Sequence, residues 1–129
     1  RTGRTSRSRA KSARDFIFTG GREGRVTYAN PATAAALKLR PEDVSGLPLD
    51  GLFKGATLRQ MKASLGEAFR TGEVLVRVEE LEFPVGMLWL DTQLIPIREA
   101  DGTVNSVLGV SRRIPGGLAG PGPDRKTRE

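Results

Sequence analysis

Residues 74–114 constrain the fold more than any other stretch. They alternate like strands, and the connections between them are too short for anything but hairpins. Val74, Val76 and Val78 alternate with polar or outward positions, and Leu81 and Phe83 continue on the opposite parity. A strand changes face only by taking in an extra residue, so we expect a bulge or break at Glu79-Glu80. Pro84-Val85-Gly86 supplies a turn. Met87 to Arg98 reads as a long strand interrupted at Pro96, where one ladder donor is lost. Glu99-Ala100-Asp101-Gly102 carries the Asp-Gly hairpin signal, and Thr103 to Ile114 is the last strand. Strands joined this closely run antiparallel, because a parallel pair needs a crossover of about a dozen residues or more.

The first half supplies the partners of these strands. Phe16–Thr19 and Arg25–Ala29 have strand composition and flank a glycine-rich turn, so they predict a second hairpin. Asn30-Pro31 marks the change to helix: Asn30 suits the N-cap and Pro31 the first helical position. A short alanine-rich helix follows from Ala32 to Leu39. A further turn of helix begins at Arg40-Pro41-Glu42-Asp43 and ends near Gly46, and another spans Leu49–Phe53. The clearest helix covers residues 57–70, where Leu58, Met61, Leu65 and Phe69 recur at helical spacing and place one apolar stripe against a core. Thr71-Gly72 ends it. Strands before and after a group of helices give an α+β class, with the helices packed on one sheet face.

The 129 residues suit one domain. The chain has no cysteine and no histidine. That excludes disulfides, thiolate metal sites, Ser-His-Asp chemistry and histidine-held haem. The net charge of +6 resides in residues 1–14, which hold Arg1, Arg4, Arg7, Arg9, Lys11 and Arg14 with no acid. We read 1–14 as a basic disordered linker. Such an arm could take phosphate backbones, but no aromatic residue interleaves it, so nucleic acid is not the expected partner. Residues 115–129 are rich in glycine and proline and read as a linker or tail, leaving 15–114 as the folded unit. The chain opens on Arg1, so we expect a piece of a longer protein or a processed product. No apolar run approaches the roughly 20 residues of a membrane span, and cytoplasm is the expected location.

Two stretches carry a family resemblance. The first is Asp15-x-Ile17 with Glu23-Gly24-Arg25-Val26-Thr27-Tyr28-Ala29-Asn30-Pro31-Ala32. The second is Trp89-Leu90, Pro96-Ile97, Asp101-Gly102 and Gly109-Val110-Ser111-Arg112. In this order and spacing they resemble the PAS family. The resemblance implies a five-stranded antiparallel sheet with short helices and one longer helix on one face. It also implies a sensory or regulatory role without catalysis, within a bacterial-type signalling protein such as a sensor histidine kinase. The partners implied are a second copy and an output domain of the same polypeptide. Flavin photosensors of this family need a cysteine and its haem sensors a histidine, so the expected ligand is an uncoloured small molecule or none. Tyr28 and Met61 are expected to pack rather than ligate haem. The sequence departs from the family at Gly21, where an acid is frequent, and at Arg113-Ile114-Pro115, where Asp-Ile-Thr is frequent. The second departure bears on output, since Pro115 disfavours a helix running through that position.

The resemblance places a cavity between sheet and helices. We expect Ile17, Leu58, Met61, Leu65, Val76, Leu90, Thr92, Leu94 and Val107 to line it, with Leu37 alongside. Thr92 shares a face with Leu90 and Leu94 and is the best polar anchor. The other reading of these positions is a packed core. Trp89 and Ile95 fall on the opposite face and read as an interface, for which dimerisation is the expected use. Glu79, Glu80 and Glu82 read as a solvated edge rather than a divalent-cation site. No catalytic residue and no metal ligand is assigned. Two other functions remain as alternatives: a domain of a transcription regulator with a nucleic-acid-binding arm at 1–14, and a small α+β enzyme.

Overall fold

In the computed structural model, which describes residues 15–114, the chain turns from strand to helix at Asn30. Strands β1 (Phe16–Gly21) and β2 (Val26–Ala29) precede it, and α1 (Pro31–Ala36) follows. The Asn30 carboxamide oxygen accepts from the Thr33 backbone N–H at 3.0 Å, the Thr33 hydroxyl at 2.7 Å and the Ile17 N–H at 3.1 Å. Its amide group donates to the Asp15 carbonyl at 2.8 Å. Asn30 therefore caps the helix and also fastens it to the start of β1. The helix is shorter than expected. It ends at Ala36, and Lys38 adopts a φ of 60°, a left-handed conformation that an α-helix cannot continue through.

The remaining elements are α2 (Pro41–Val44), a 3₁₀ turn (Leu49–Gly51), α3 (Gly55–Thr71), β3 (Leu75–Phe83), β4 (Gly86–Arg98) and β5 (Val104–Ile114). Gly72 closes α3 with a φ of 69°, donating its N–H to the Ala68 carbonyl. The Arg98 guanidinium reaches back to the Gly72 carbonyl at 2.9 Å and fixes the helix end to β4. At the tip of the last hairpin, Gly102 takes a φ of 90° and Asp101 accepts from the Thr103 N–H at 3.0 Å.

The five strands form one antiparallel sheet in the order β2-β1-β5-β4-β3. The last strand is thus central, paired with the first. The inner face carries Phe16, Phe18, Leu81, Phe83, Leu88, Leu90, Leu94 and Val107 against the helices. Leu90, Val44 and Val107 are fully buried, each worth about 1.5–3 kcal/mol relative to exposure.

Two expectations fail in the sheet. There is no bulge at Glu79-Glu80. β3 and β4 pair in unbroken register from Leu75↔Leu94 to Phe83↔Gly86. Leu75, Glu79, Leu81 and Phe83 share the inner face, while Val76 and Val78 stand on the outer one. The valine alternation was real, but it marked the solvent side. Pro96 does not interrupt β4 either. It pairs with Val107 beyond the last β3 contact, where β4 has a neighbour on one side only and proline is tolerated. The irregularity falls later, between Ile97 and Arg98. The linkers expected at 1–14 and 115–129 lie outside the described residues, as does Pro115.

Candidate functional site

Between the sheet's inner face and the helices lies a cavity of about 50 Å³, partly open to solvent. One probe sphere's worth of such space, roughly 10–15 Å³, holds a water, so the volume admits about four heavy atoms. Phe16 and Phe18 of β1, Leu81 and Phe83 of β3, and Leu90 and Leu94 of β4 form its sheet wall. Leu37 at the C-terminal cap of α1, Val44 of α2, Phe53, and Met61 and Leu65 of α3 form the opposite wall. The rings of Phe53 and Phe83 meet edge to face at 5.2 Å, closing one end with stiff aromatic surface.

Few polar groups reach this space. Thr92 and Ser111, opposite one another on β4 and β5, share a hydrogen bond of 2.7 Å between their buried hydroxyls. Ser64 of α3 and Thr33 of α1 also line the cavity. Glu79 is the one acid on its wall. Burial pushes its carboxyl above the usual glutamate range, and Arg77 two residues away offsets part of this. Arg77 spends its guanidinium on Glu67 of α3, at 2.9 Å. The side-chain partner of Glu79 is Gln60, whose amide nitrogen stands 3.5 Å from the carboxyl oxygen.

Of the residues expected on the cavity, Met61, Leu65, Leu90, Thr92 and Leu94 lie on its wall, as does Leu37. Four do not. Val76 is 58% exposed on the outer face, because β3 presents its odd-numbered residues inward. Ile17 also faces outward, opposite Val110, since its neighbours Phe16 and Phe18 take the inner positions. Val107 is fully buried in the core, and Leu58 packs against the core without reaching the cavity wall. Sequence reasoning missed Phe16, Phe18, Ser64, Glu79 and Ser111. The helical spacing of Ser64 from Met61, and the shared parity of Glu79 with Leu81 and Phe83, were signals that pointed to two of them. Glu79, Glu80 and Glu82 do not act as one edge. The first turns inward, and Glu80 and Glu82 stay exposed on the edge strand. Among the described residues, no group of three His, Cys, Asp or Glu side chains is placed to hold a metal. No helix there is long and apolar enough to cross a membrane.

The outer sheet face carries several exposed apolar side chains among polar ones. Val76 and Val78 are 58% and 54% exposed and Met87 is 55% exposed. Trp89 and Ile95, the expected interface residues, are half-buried on the same face. One cross-strand row there runs Ile17, Val110, Gln93, Val76. Asp91 and Arg112 stand opposite one another in the next.

A five-stranded antiparallel sheet in this order, with helices on one face over a small cavity, is the architecture of PAS domains. The family model described as "PAS fold" matches residues 10–115, and the chain belongs to that family. Solved structures agree on the fold. The PAS domain of a protein from Colwellia psychrerythraea superposes with a TM-score of 0.67 at 15% identity, covering 88% of this chain and 96% of that one. A sensory box sensor histidine kinase from Vibrio cholerae gives 0.69 at 14%, covering 88% and 90%. VqmA bound to DPO gives 0.71 at 17%, covering 85% of this chain and 57% of that one. No curated protein matches the chain.

Proposed function

We propose that residues 15–114 are the non-catalytic sensory module of a cytoplasmic, bacterial-type signal-transduction protein. The module takes a small uncoloured molecule into the cavity and relays its presence to an output domain on the same polypeptide, with residues 1–14 and 115–129 as linkers. The observation that carries this reading is the cavity itself. It has apolar walls, a few hydroxyls and one carboxyl, the composition by which small-molecule sites bind and orient a ligand. Supporting it, one similar structure is described as VqmA bound to DPO, and another belongs to a sensor histidine kinase.

A second copy of the chain is the partner we propose for the outer sheet face. The exposed Val76, Val78 and Met87, with the half-buried Trp89 and Ile95, give this face apolar surface that a second copy would cover. Asp91 and Arg112 give that face both signs of charge, which a two-fold contact can pair across the interface.

Native mass spectrometry of the gently purified chain tests the ligand reading. The expected spectrum shows a small-molecule adduct that is lost on collisional activation. A bare polypeptide mass, persisting after incubation with host metabolite extract, would count against it.

A further inference from the structure

Glu79 is the feature of the cavity that a packed core does not explain. Its strand neighbours on the inner face, Leu81 and Phe83, are buried apolar residues, and the residue paired with it on β4 is the fully buried Leu90. A leucine or valine would fill the same position without desolvating a carboxyl. The nearby cation is not committed to it, since Arg77 pairs with Glu67 at 2.9 Å. Gln60, an exposed neutral side chain, approaches to only 3.5 Å. Glu79 is half-buried while Leu90 behind it is closed off, so the carboxyl stands on the solvent side of the cavity. Among the cavity hydroxyls, Thr92 and Ser111 satisfy one another at 2.7 Å and Thr33 donates to Asn30 at 2.7 Å.

We propose that Glu79 selects the ligand's charge: the cavity takes a small molecule with an apolar body of about four heavy atoms and a cationic or hydrogen-bond-donating head, and rejects organic anions. This rests on the cavity reading above and narrows it. The apolar body lies among Phe18, Leu65 and Leu90, and the head reaches Glu79 and Gln60 at the opening. A cationic head supplies a direct ion pair, which Glu79 does not make among the described residues. A carboxylate head would set two anions together in a partly desolvated site, where repulsion is stronger than in water.

Three four-carbon probes separate the outcomes: n-butylamine, n-butanol and butyrate, each titrated into the full chain and followed by NMR. The expected order of affinity is amine, alcohol, butyrate, with the amine bound about tenfold or more tighter than butyrate. Glu79→Gln is expected to bring the amine-to-butyrate ratio close to one. Glu79→Asp, which keeps the charge, is expected to retain the amine preference. Equal or tighter binding of butyrate to the wild type overturns the proposal. So does an amine preference that survives in folded Glu79→Gln, or one that is lost in Glu79→Asp. Uptake of none of the three by the wild type would instead sink the cavity reading, and this inference with it.

Discussion

The Phe18 ring lies directly across the sheet from Gly109 and fills the space that a side chain there would need. Glycine weakens a strand, so its presence within β5 reflects this close approach. Phe18 is also a wall of the cavity. Gly109→Ala must push the ring aside, and we expect a loss of about 1–3 kcal/mol in stability, read from the urea midpoint, with weaker ligand uptake. An unchanged midpoint would show that the ring has room to move.

The Thr92–Ser111 pair should behave as a unit. Thr92→Val leaves the Ser111 hydroxyl without its partner in a buried place, at an expected cost of about 1–3 kcal/mol. Adding Ser111→Ala removes the orphaned group, so the double variant should be less destabilised than the sum of the two single ones. Strict additivity in a double-mutant cycle would mean that the 2.7 Å contact contributes nothing.

What could be read from the sequence was what local chemistry fixes. The Asn30 cap, the Asp101-Gly102 turn and the strand-helix-strand order each depend on a few neighbouring residues. Facing was harder, because apolar side chains cover both sides of this sheet. Phe16-Ile17-Phe18 is apolar throughout, so alternation could not say that Ile17 turns outward. Val74, Val76 and Val78 form a better apolar alternation than the inward set, which includes Arg77 and Glu79. The true face of β3 was therefore concealed by a charged residue in the cavity and by an outer face that resembles a core. A cavity, moreover, is a space that side chains from nine elements fail to fill, and no single stretch encodes it.

Glu79 gives a pH dependence with a definite sign. Burial raises its folded-state pKa above the ordinary glutamate value, so the folded state holds the proton more tightly than the unfolded one. Its contribution to stability is most favourable below the unfolded glutamate pKa of about 4.3 and is lost as pH rises through the folded value. Glu79→Gln cannot titrate. Relative to the wild type, it should gain stability near neutral pH, and the gain should shrink on acidification below about pH 4. Urea midpoints at the two pH values check this, and a gain that grows in acid would contradict it.

On the outer face, Val76→Arg should break self-association and leave the cavity intact. Sedimentation equilibrium is expected to report a dimer for the wild type and a monomer for the variant, with n-butanol binding unchanged. A wild-type monomer at high concentration would remove the second copy as the partner of this face.

The central claim is that the space between sheet and helices is where this PAS domain receives a small molecule. Methyl-resolved NMR during titration with n-butanol tests it most directly. Saturable shifts are expected at Met61, Leu65, Leu90 and Leu94, with Val76, Val78 and Met87 on the outer face unmoved. Cavity methyls that stay in place throughout, or saturation confined to the outer face, would contradict it.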